Sequence, residues 1–332
     1  MSVNLFIITS PLQLINAIEA REHFNTTNNH LVAIFTEFKS KNKDQIIKLI
    51  NKNDWDNILE FDIRPVGTTS TFFRQVELVK ILKNGSYINV FCGDLSSIIK
   101  LILSNINKKK IYLLDDGATT INRHLNELNS NKKKKTSTKK IFRQLRFNLL
   151  GLKTALKETI NMFTSYKLTP HADEQIIHND LAYFKKTFLL KSNLDENVYF
   201  LGQPLSELGI VDRETYLKYI DTVKKHYLNK KIIYIPHRFE KNIEAIEELQ
   251  NSSFRVQHID LPIELEFINT NKYPMQICSF FSSALFTLNI LYPNAEITAF
   301  AINYEDVLKP TSGMDNVYKY IQESTTIKKV SL

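Results

Sequence analysis

The chain has 332 residues, 43% of them apolar and 23% charged, with a formal net charge of +8. That is the balance of a soluble globular protein, and the length calls for two domains of about 150 residues each. No apolar stretch reaches the roughly 18 to 20 residues of a membrane-spanning helix, and MSVNLFIITSPLQ lacks the basic n-region and cleavage site of a signal peptide.

In chain order, VNLFIIT (3–9) reads as a strand and SPLQLINAIEAREHF as a helix, capped by Ser10 with Pro11 in its first turn. HLVAIFT (30–36) is a second strand and KSKNKDQIIKLINKN a polar, amphipathic helix. NILEFDI (57–63), INVFCG (88–93) and KIYLLDD (110–116) are further strands separated by helical segments. Continuous apolar strands in a β-α-β-α rhythm predict a parallel sheet covered on both faces.

A basic region breaks the rhythm. NKKKKTSTKKIFRQLR (131–146) holds Lys132 to Lys135, Lys139, Lys140, Arg143 and Arg146, a run that either attracts polyanions or is a solvated loop. IFRQLRFNLLGLKTALKETINMF then sets apolar residues at helical spacing beside basic ones, which fits a membrane-surface helix or packing within a domain. An anionic membrane surface is therefore an expected partner of 131–160, and nucleic acid is not, because the run lacks interleaved aromatics.

The rhythm returns with NVYFLGQP (197–204), KKIIYIPHR (230–238), FRVQHID (254–260), MQICSFFSS (275–283) and AEITAFAI (295–302). The expected organisation is an N-terminal Rossmann-like domain over 1–170, a linker over 171–189 and a C-terminal one over 190–332, with sheets facing across a cleft. Cys92 and Cys278 lie in apolar segments, read as buried free thiols that fit a reducing cytoplasm, and lack zinc-site spacing.

Ligands of open parallel sheets bind outside the carboxyl ends of the strands. Polar clusters stand at several such ends: Thr9-Ser10-Pro11, Asp115-Asp116-Gly117, Gly202-Gln203-Pro204, Pro236-His237-Arg238 and Ser282-Ser283. Asp-Gly after a strand serves a turn or holds a carboxylate at a cleft. His237 beside Arg238 pairs a proton donor with a planar anion fork. Ser282-Ser283 open the helix ALFTLNIL, where hydroxyls and free N–H groups suit a phosphate. In DLPIELEFI one of Glu264 and Glu266 can accept ribose hydroxyls while the other is solvated.

The set resembles bacterial sialyltransferases of the lipooligosaccharide and capsule type (glycosyltransferase family 52), related to the bacterial polysialyltransferases. Those families carry a D/E-D/E-G motif, a His-Pro motif and a serine-rich phosphate motif in this order, as Asp115-Asp116-Gly117, His237 and Ser282-Ser283 stand here; FFSSA and FLGQPLSE add to the likeness. The resemblance implies a GT-B fold and an inverting, metal-independent transfer of sialic acid from CMP-sialic acid to a galactose-ended surface glycan of a lipooligosaccharide, O-antigen or capsule. Asp115 is then the base, and Asp116 orients it or the acceptor. His237 stabilises or protonates the departing phosphate. Ser282 and Ser283 bind that phosphate with Arg238 as a helper, Gly117 and Pro236 belong to the donor-binding set, Glu264 holds the ribose, and Ser10, Gln13 and Asn16 face the acceptor. The expected location is the cytoplasm, peripheral on the inner face of its membrane.

Two departures stand out. Proline precedes the histidine instead of following it, and Leu205 occupies a position in GQPLSE where some family members place an acidic base. Other CMP-activated ulosonic acids fit the same motifs. A UDP-sugar 2-epimerase is the rival enzyme, because PHRFEKN is one residue away from an HRxEN stretch, although FFSSALFTLN offers no Asp-Ser-Gly-Gly stretch. A non-enzymatic polyanion binder leaves the strand-end clusters unexplained.

Overall fold

The apolar runs become two all-parallel sheets in a computed structural model that describes residues 3–36, 42–64, 68–128, 138–171, 173–188, 192–241, 243–309 and 312–332. The basic run at 131–137 lies outside the described residues. The strands are β1 Val3–Ile8, β2 Asn29–Phe35, β3 Asn57–Asp62, β4 Ser86–Cys92, β5 Asn107–Leu113, β6 Asn161–Thr164, β7 Ile176–His178, β8 Asn193–Leu201, β9 Ile232–Ile235, β10 Phe254–Val256, β11 Lys272–Ser279, β12 Glu296–Ala301 and β13 Lys328–Ser331. The helices are α1 Pro11–His23, α2 Asn42–Leu49, α3 Thr68–Lys83, α4 Ser97–Leu103, α5 Ala118–Leu128, α6 Thr138–Leu149, α7 Ala182–Phe188, α8 Arg213–His226, α9 Glu244–Glu247, α10 Ile263–Asn269, α11 Ala284–Leu291 and α12 Ser312–Ser324.

The first sheet has the order β3-β2-β1-β4-β5-β6-β7 and the second β10-β9-β8-β11-β12-β13. Counted from its own first strand, each runs 3-2-1-4-5-6, the doubly wound order, and the first sheet adds a seventh strand after the sixth. Strand order reverses between β1 and β4 in one sheet and between β8 and β11 in the other, and those reversals are where ligands bind.

Alternation along β1 shows why the runs are apolar throughout. Leu5 and Ile7 pack into one core with Val32, Ile34 and Val90, whereas Phe6 and Ile8 pack into another with Leu31, Ala33 and Phe91. Both faces are covered, so each side chain contributes about 1.5–3 kcal/mol by leaving water. In the second unit Val198 to Leu201 of β8 are buried in succession.

The chain divides into one unit of 1–116 with 126–179 and another of 117–125 with 180–332. The Asp-Asp-Gly motif thus straddles a change of unit, and the start of α5 packs with the second, where Asn316 Nδ2 donates to Asn122 Oδ1 at 2.9 Å. Residues 171–189 carry β7 and α7.

The helical reading of the amphipathic segment needs correction beyond Leu149. α6 stops there, and β6 follows at Asn161. Gly151 takes φ +70, the left-handed conformation glycine adopts freely, and closes the helix with Gly151 N–H on Asn148 O at 2.9 Å and Leu152 N–H on Phe147 O at 3.1 Å. No helix among the described residues is long and apolar enough to cross a membrane. Cys92 and Cys278 are buried free thiols.

Candidate active site

In the first unit the strand ends of β1, β4, β5 and β6 carry the polar groups. Ser10 caps α1, its Oγ accepting from Gln13 N–H at 3.3 Å. Gln13 is buried; its Oε1 accepts Thr9 N–H at 2.7 Å, and the Thr9 hydroxyl is shared between that oxygen and Asp94 Oδ2, at 3.1 Å each. Asn16 donates to Leu12 O at 3.0 Å and Asp115 O at 3.4 Å, and accepts from Asn179 Nδ2 at 2.9 Å. Gln13 and Asn16, expected at an acceptor, here join α1 to β1, β5 and the segment after β7.

Asp115 follows Leu114 just past β5 and is 3% exposed. Thr164 Oγ1 donates to its Oδ1 at 2.5 Å, and Ser165 N–H and Oγ donate to its Oδ2 at 2.7 and 2.8 Å. Burial penalises the charged carboxylate more than these donors favour it, so its pKa is pushed up to about 6. A base titrating near neutral pH is what proton abstraction at pH 7 favours. Oδ1 accepts one bond and keeps a lone pair, whereas Oδ2 accepts two. Asp116 is half-buried. Thr164 and Ser165 were missed because their strand was read as helix, yet FTS after an apolar run repeats the ITS signal of Thr9-Ser10.

The second unit brings three predicted clusters to one sheet edge. Gln203, past the end of β8, spans the strand reversal: its Oε1 accepts Phe281 N–H at 2.8 Å and Ser279 Oγ at 3.3 Å, beyond and at the end of β11. That bond fixes the loop leading to Ser282 and Ser283, both half-buried. Ser282 Oγ accepts Ala284 N–H at 3.3 Å, whereas Ser283 stands at the cap of α11 with no side-chain capping bond.

On the neighbouring strand, Pro236 and His237 leave β9. His237 Nδ1 accepts Phe239 N–H at 3.2 Å, so the proton of the neutral ring resides on Nε2. Burial, then the charge of Arg238, lowers its pKa to about 4. The ring is neutral at pH 7 and a hydrogen-bond donor through Nε2. Arg238 is exposed, with its guanidinium 5.0 Å from the Phe239 ring centroid.

Glu240 holds this turn and was not foreseen. Its Oε2 accepts His237 N–H at 2.5 Å, and its Oε1 accepts the hydroxyls of Tyr216 at 3.0 Å and Tyr234 at 2.5 Å. Burial raises its pKa. The signal was the spacing in HRFE, a glutamate three residues on that reaches back to a backbone N–H. Gly202 makes room: a Cβ there would lie 2.4 Å from Glu240 Oε2 and from the Tyr234 hydroxyl.

Glu264 sits on α10, which packs against α11. It is 5% exposed and burial drives its pKa up to about 7, opposed only by its own backbone N–H. Glu266 is half-buried. Of the predicted residues, Asp115, Asp116, Ser10, Gln13 and Asn16 belong to the first unit, and Gly117, Pro236, His237, Arg238, Glu264, Ser282 and Ser283 to the second.

A family model described as alpha-2,8-polysialyltransferase matches residues 4–301. No curated protein matches the chain. Among solved structures, it is similar to Staphylococcus aureus MnaA with UDP (11% identity, 97% of this chain and 88% of that one, TM-score 0.54). It is similar to the Methanocaldococcus jannaschii UDP-GlcNAc 2-epimerase with UDP-GlcNAc and UDP (15%, 100% and 89%, TM-score 0.53). The spinosyn rhamnosyltransferase SpnG with thymidine diphosphate also matches (7%, 100% and 86%, TM-score 0.52). At such identities these neighbours show the fold, which is GT-B, and nothing about the nucleotide.

Proposed function

Because the chain belongs to the alpha-2,8-polysialyltransferase family, and so is a sialyltransferase-type glycosyltransferase, we propose that it moves sialic acid from CMP-sialic acid to a sugar hydroxyl with inversion. The observation that carries the nucleotide side is the edge of the second sheet, where Gln203 ties the end of β8 to the loop before Ser282 and Ser283, and His237 leaves the adjacent β9.

In this reading Asp115 Oδ1 takes the proton of the acceptor hydroxyl as its oxygen bonds to the anomeric carbon. The bond from that carbon to the CMP phosphate oxygen breaks, and CMP leaves with the electron pair. Negative charge grows on the phosphate, so donors placed there lower the barrier. His237 Nε2–H, the Ser282 and Ser283 hydroxyls, the α11 N-terminus and Arg238 supply that field without a metal. With a pKa of about 4, His237 donates a hydrogen bond rather than a proton. Glu264, 5% exposed, accepts from the ribose.

The acceptor we propose is a galactose-ended surface glycan; a sialic acid end, which the family's name describes, is the second choice. A cytoplasmic setting is part of the proposal and draws support from the two buried free thiols. The test is a thermal-shift panel of CMP, UDP, GDP and ADP. CMP alone raises Tm if the reading holds, and CMP-sialic acid is then assayed on galactose- and sialic acid-ended acceptors. Stabilisation by UDP alone sinks it and revives the epimerase.

A further inference from the structure

The amphipathic stretch fitted either packing within a domain or contact with a membrane, and α6 separates the two. At 3.6 residues per turn, Phe142, Leu145 and Leu149 form one stripe at i, i+3 and i+7. They are 68%, 51% and 78% exposed, and Leu150, next in the chain, is 51% exposed. The opposite side of the helix carries Phe147, buried with its ring 4.9 Å from that of Phe72 on α3. The Gly151 turn then puts Leu152 into the same core. Rolling the helix to cover its stripe would pull Phe147 and Leu152 out. The stripe is held outward.

Charge gathers in the same stretch of the sequence. Of the chain's 43 Lys and Arg and 35 Asp and Glu, ten basic residues and no acidic one fall within 128–157, which leaves the rest of the sequence at −2. Among the described side chains, Arg146 flanks the stripe with its guanidinium 4.2 Å from the Phe72 ring centroid, and Lys153 and Lys157 are exposed.

We propose that α6 lies on the surface of an anionic lipid bilayer, with Phe142, Leu145, Leu149 and Leu150 in the boundary between headgroups and acyl chains. The surrounding cations then meet the lipid phosphates. An apolar stripe within a stretch of sequence rich in lysine and arginine is the pattern that rewards both terms at once. Nucleic acid would use the charge and leave the leucines idle. A second copy would set the same basic surface against itself, because a two-fold interface pairs a patch with its own image. This docking does not rest on the donor proposed above.

The test is co-sedimentation of the full chain with phosphatidylcholine vesicles, with and without 30% phosphatidylglycerol, in 0.1 and 0.5 M salt. Binding is expected to be at least tenfold tighter on the anionic vesicles in 0.1 M salt and to weaken several-fold in 0.5 M, as screening requires. Leu145→Glu with Leu149→Glu loses at least tenfold, with unchanged Tm and unchanged turnover of a soluble acceptor. Phe142→Ser, a second variant at an exposed site, moves binding the same way by less. Equal binding to both vesicles, no binding by the wild type, or unchanged binding by both variants overturns the proposal. A dimer that the double variant abolishes overturns it too, assigning the face to a second copy. None of these results touches the nucleotide panel, so the two readings fail separately.

Discussion

The two units share one strand order and use it differently. At the reversal of the first sheet the polar side chains of Thr9, Gln13 and Asp94 bond to one another or to nearby backbone, and Asn16 beside them is likewise engaged. In the second sheet, Gln203 at the reversal and Glu240 past the adjacent β9 are committed in the same way, but what they hold is the backbone of Phe281 and His237. One layer of bonded groups there fixes another whose own ends are the Ser283 hydroxyl, which makes no capping bond, and His237 Nε2. The sheet supplies the place, and the second layer of bonds makes it a site.

The buried carboxylates sharpen that contrast. Asp115 in the first unit accepts three hydrogen bonds from hydroxyl and N–H donors, with one lone pair of Oδ1 left over, yet still holds a pKa raised to about 6. The largest expected effect is therefore at this residue. Asp115→Asn should cut turnover by about a thousandfold, within the range a general base supplies, with CMP affinity changed less than twofold. Asp116→Asn should cost less than tenfold. Steady-state kinetics with CMP titration decides, and a larger loss for Asp116→Asn would move the base to that residue.

Glu240 breaks the comparison from the other side. Glu240→Ala leaves the His237 N–H and one of the two buried tyrosine hydroxyls, which bond each other at 2.8 Å, without an acceptor, at a cost of about 3 kcal/mol in stability. Glu240→Gln keeps an acceptor for some of these donors and should recover most of the Tm. If Glu240 positions His237, the Gln variant still loses kcat by about tenfold with KM for the donor unchanged. A purely structural glutamate would give normal kinetics once the fold is restored. Urea unfolding beside initial rates reads both.

The fold was legible in the sequence because strands buried on both faces are apolar without interruption, as in VNLFII and NVYFL. Three of the short strands were not. β6, β7 and β13 have four, three and four residues, too few to show a period, and β6 follows a basic helix that masked it. Asp115, His237 and Ser282-Ser283 stood out because a polar cluster after an apolar run needs explaining. Their partners did not, since Thr164 and Ser165 meet Asp115 from 49 and 50 residues away, a separation no local pattern encodes. Glu240 was within reach, three residues from His237, but PHRFEKN was weighed only for its likeness to the epimerase stretch HRxEN.

Glu264 gives the smallest effect and the cleanest sign. Its pKa is raised from the usual 4.5 to about 7 by burial, so the folded state holds the proton more tightly than the unfolded chain does. Stability from this group is complete below about pH 4.5 and is lost as pH rises through 7. Asp115, also raised, moves the same way. His237, lowered to about 4, opposes them, because folding releases its proton and stability falls as pH drops from 6.5 towards 4. The wild-type profile mixes all three, so the comparison must be with Glu264→Gln. Between pH 5 and 8 the wild type should lose on the order of 2 kcal/mol relative to that variant, read from urea unfolding at each pH. CMP should reduce the difference, because a ribose donating to the carboxylate stabilises its charged form. Parallel profiles for the two proteins would mean that Glu264 reaches water, and a carboxylate solvated in that way has no need of a ribose.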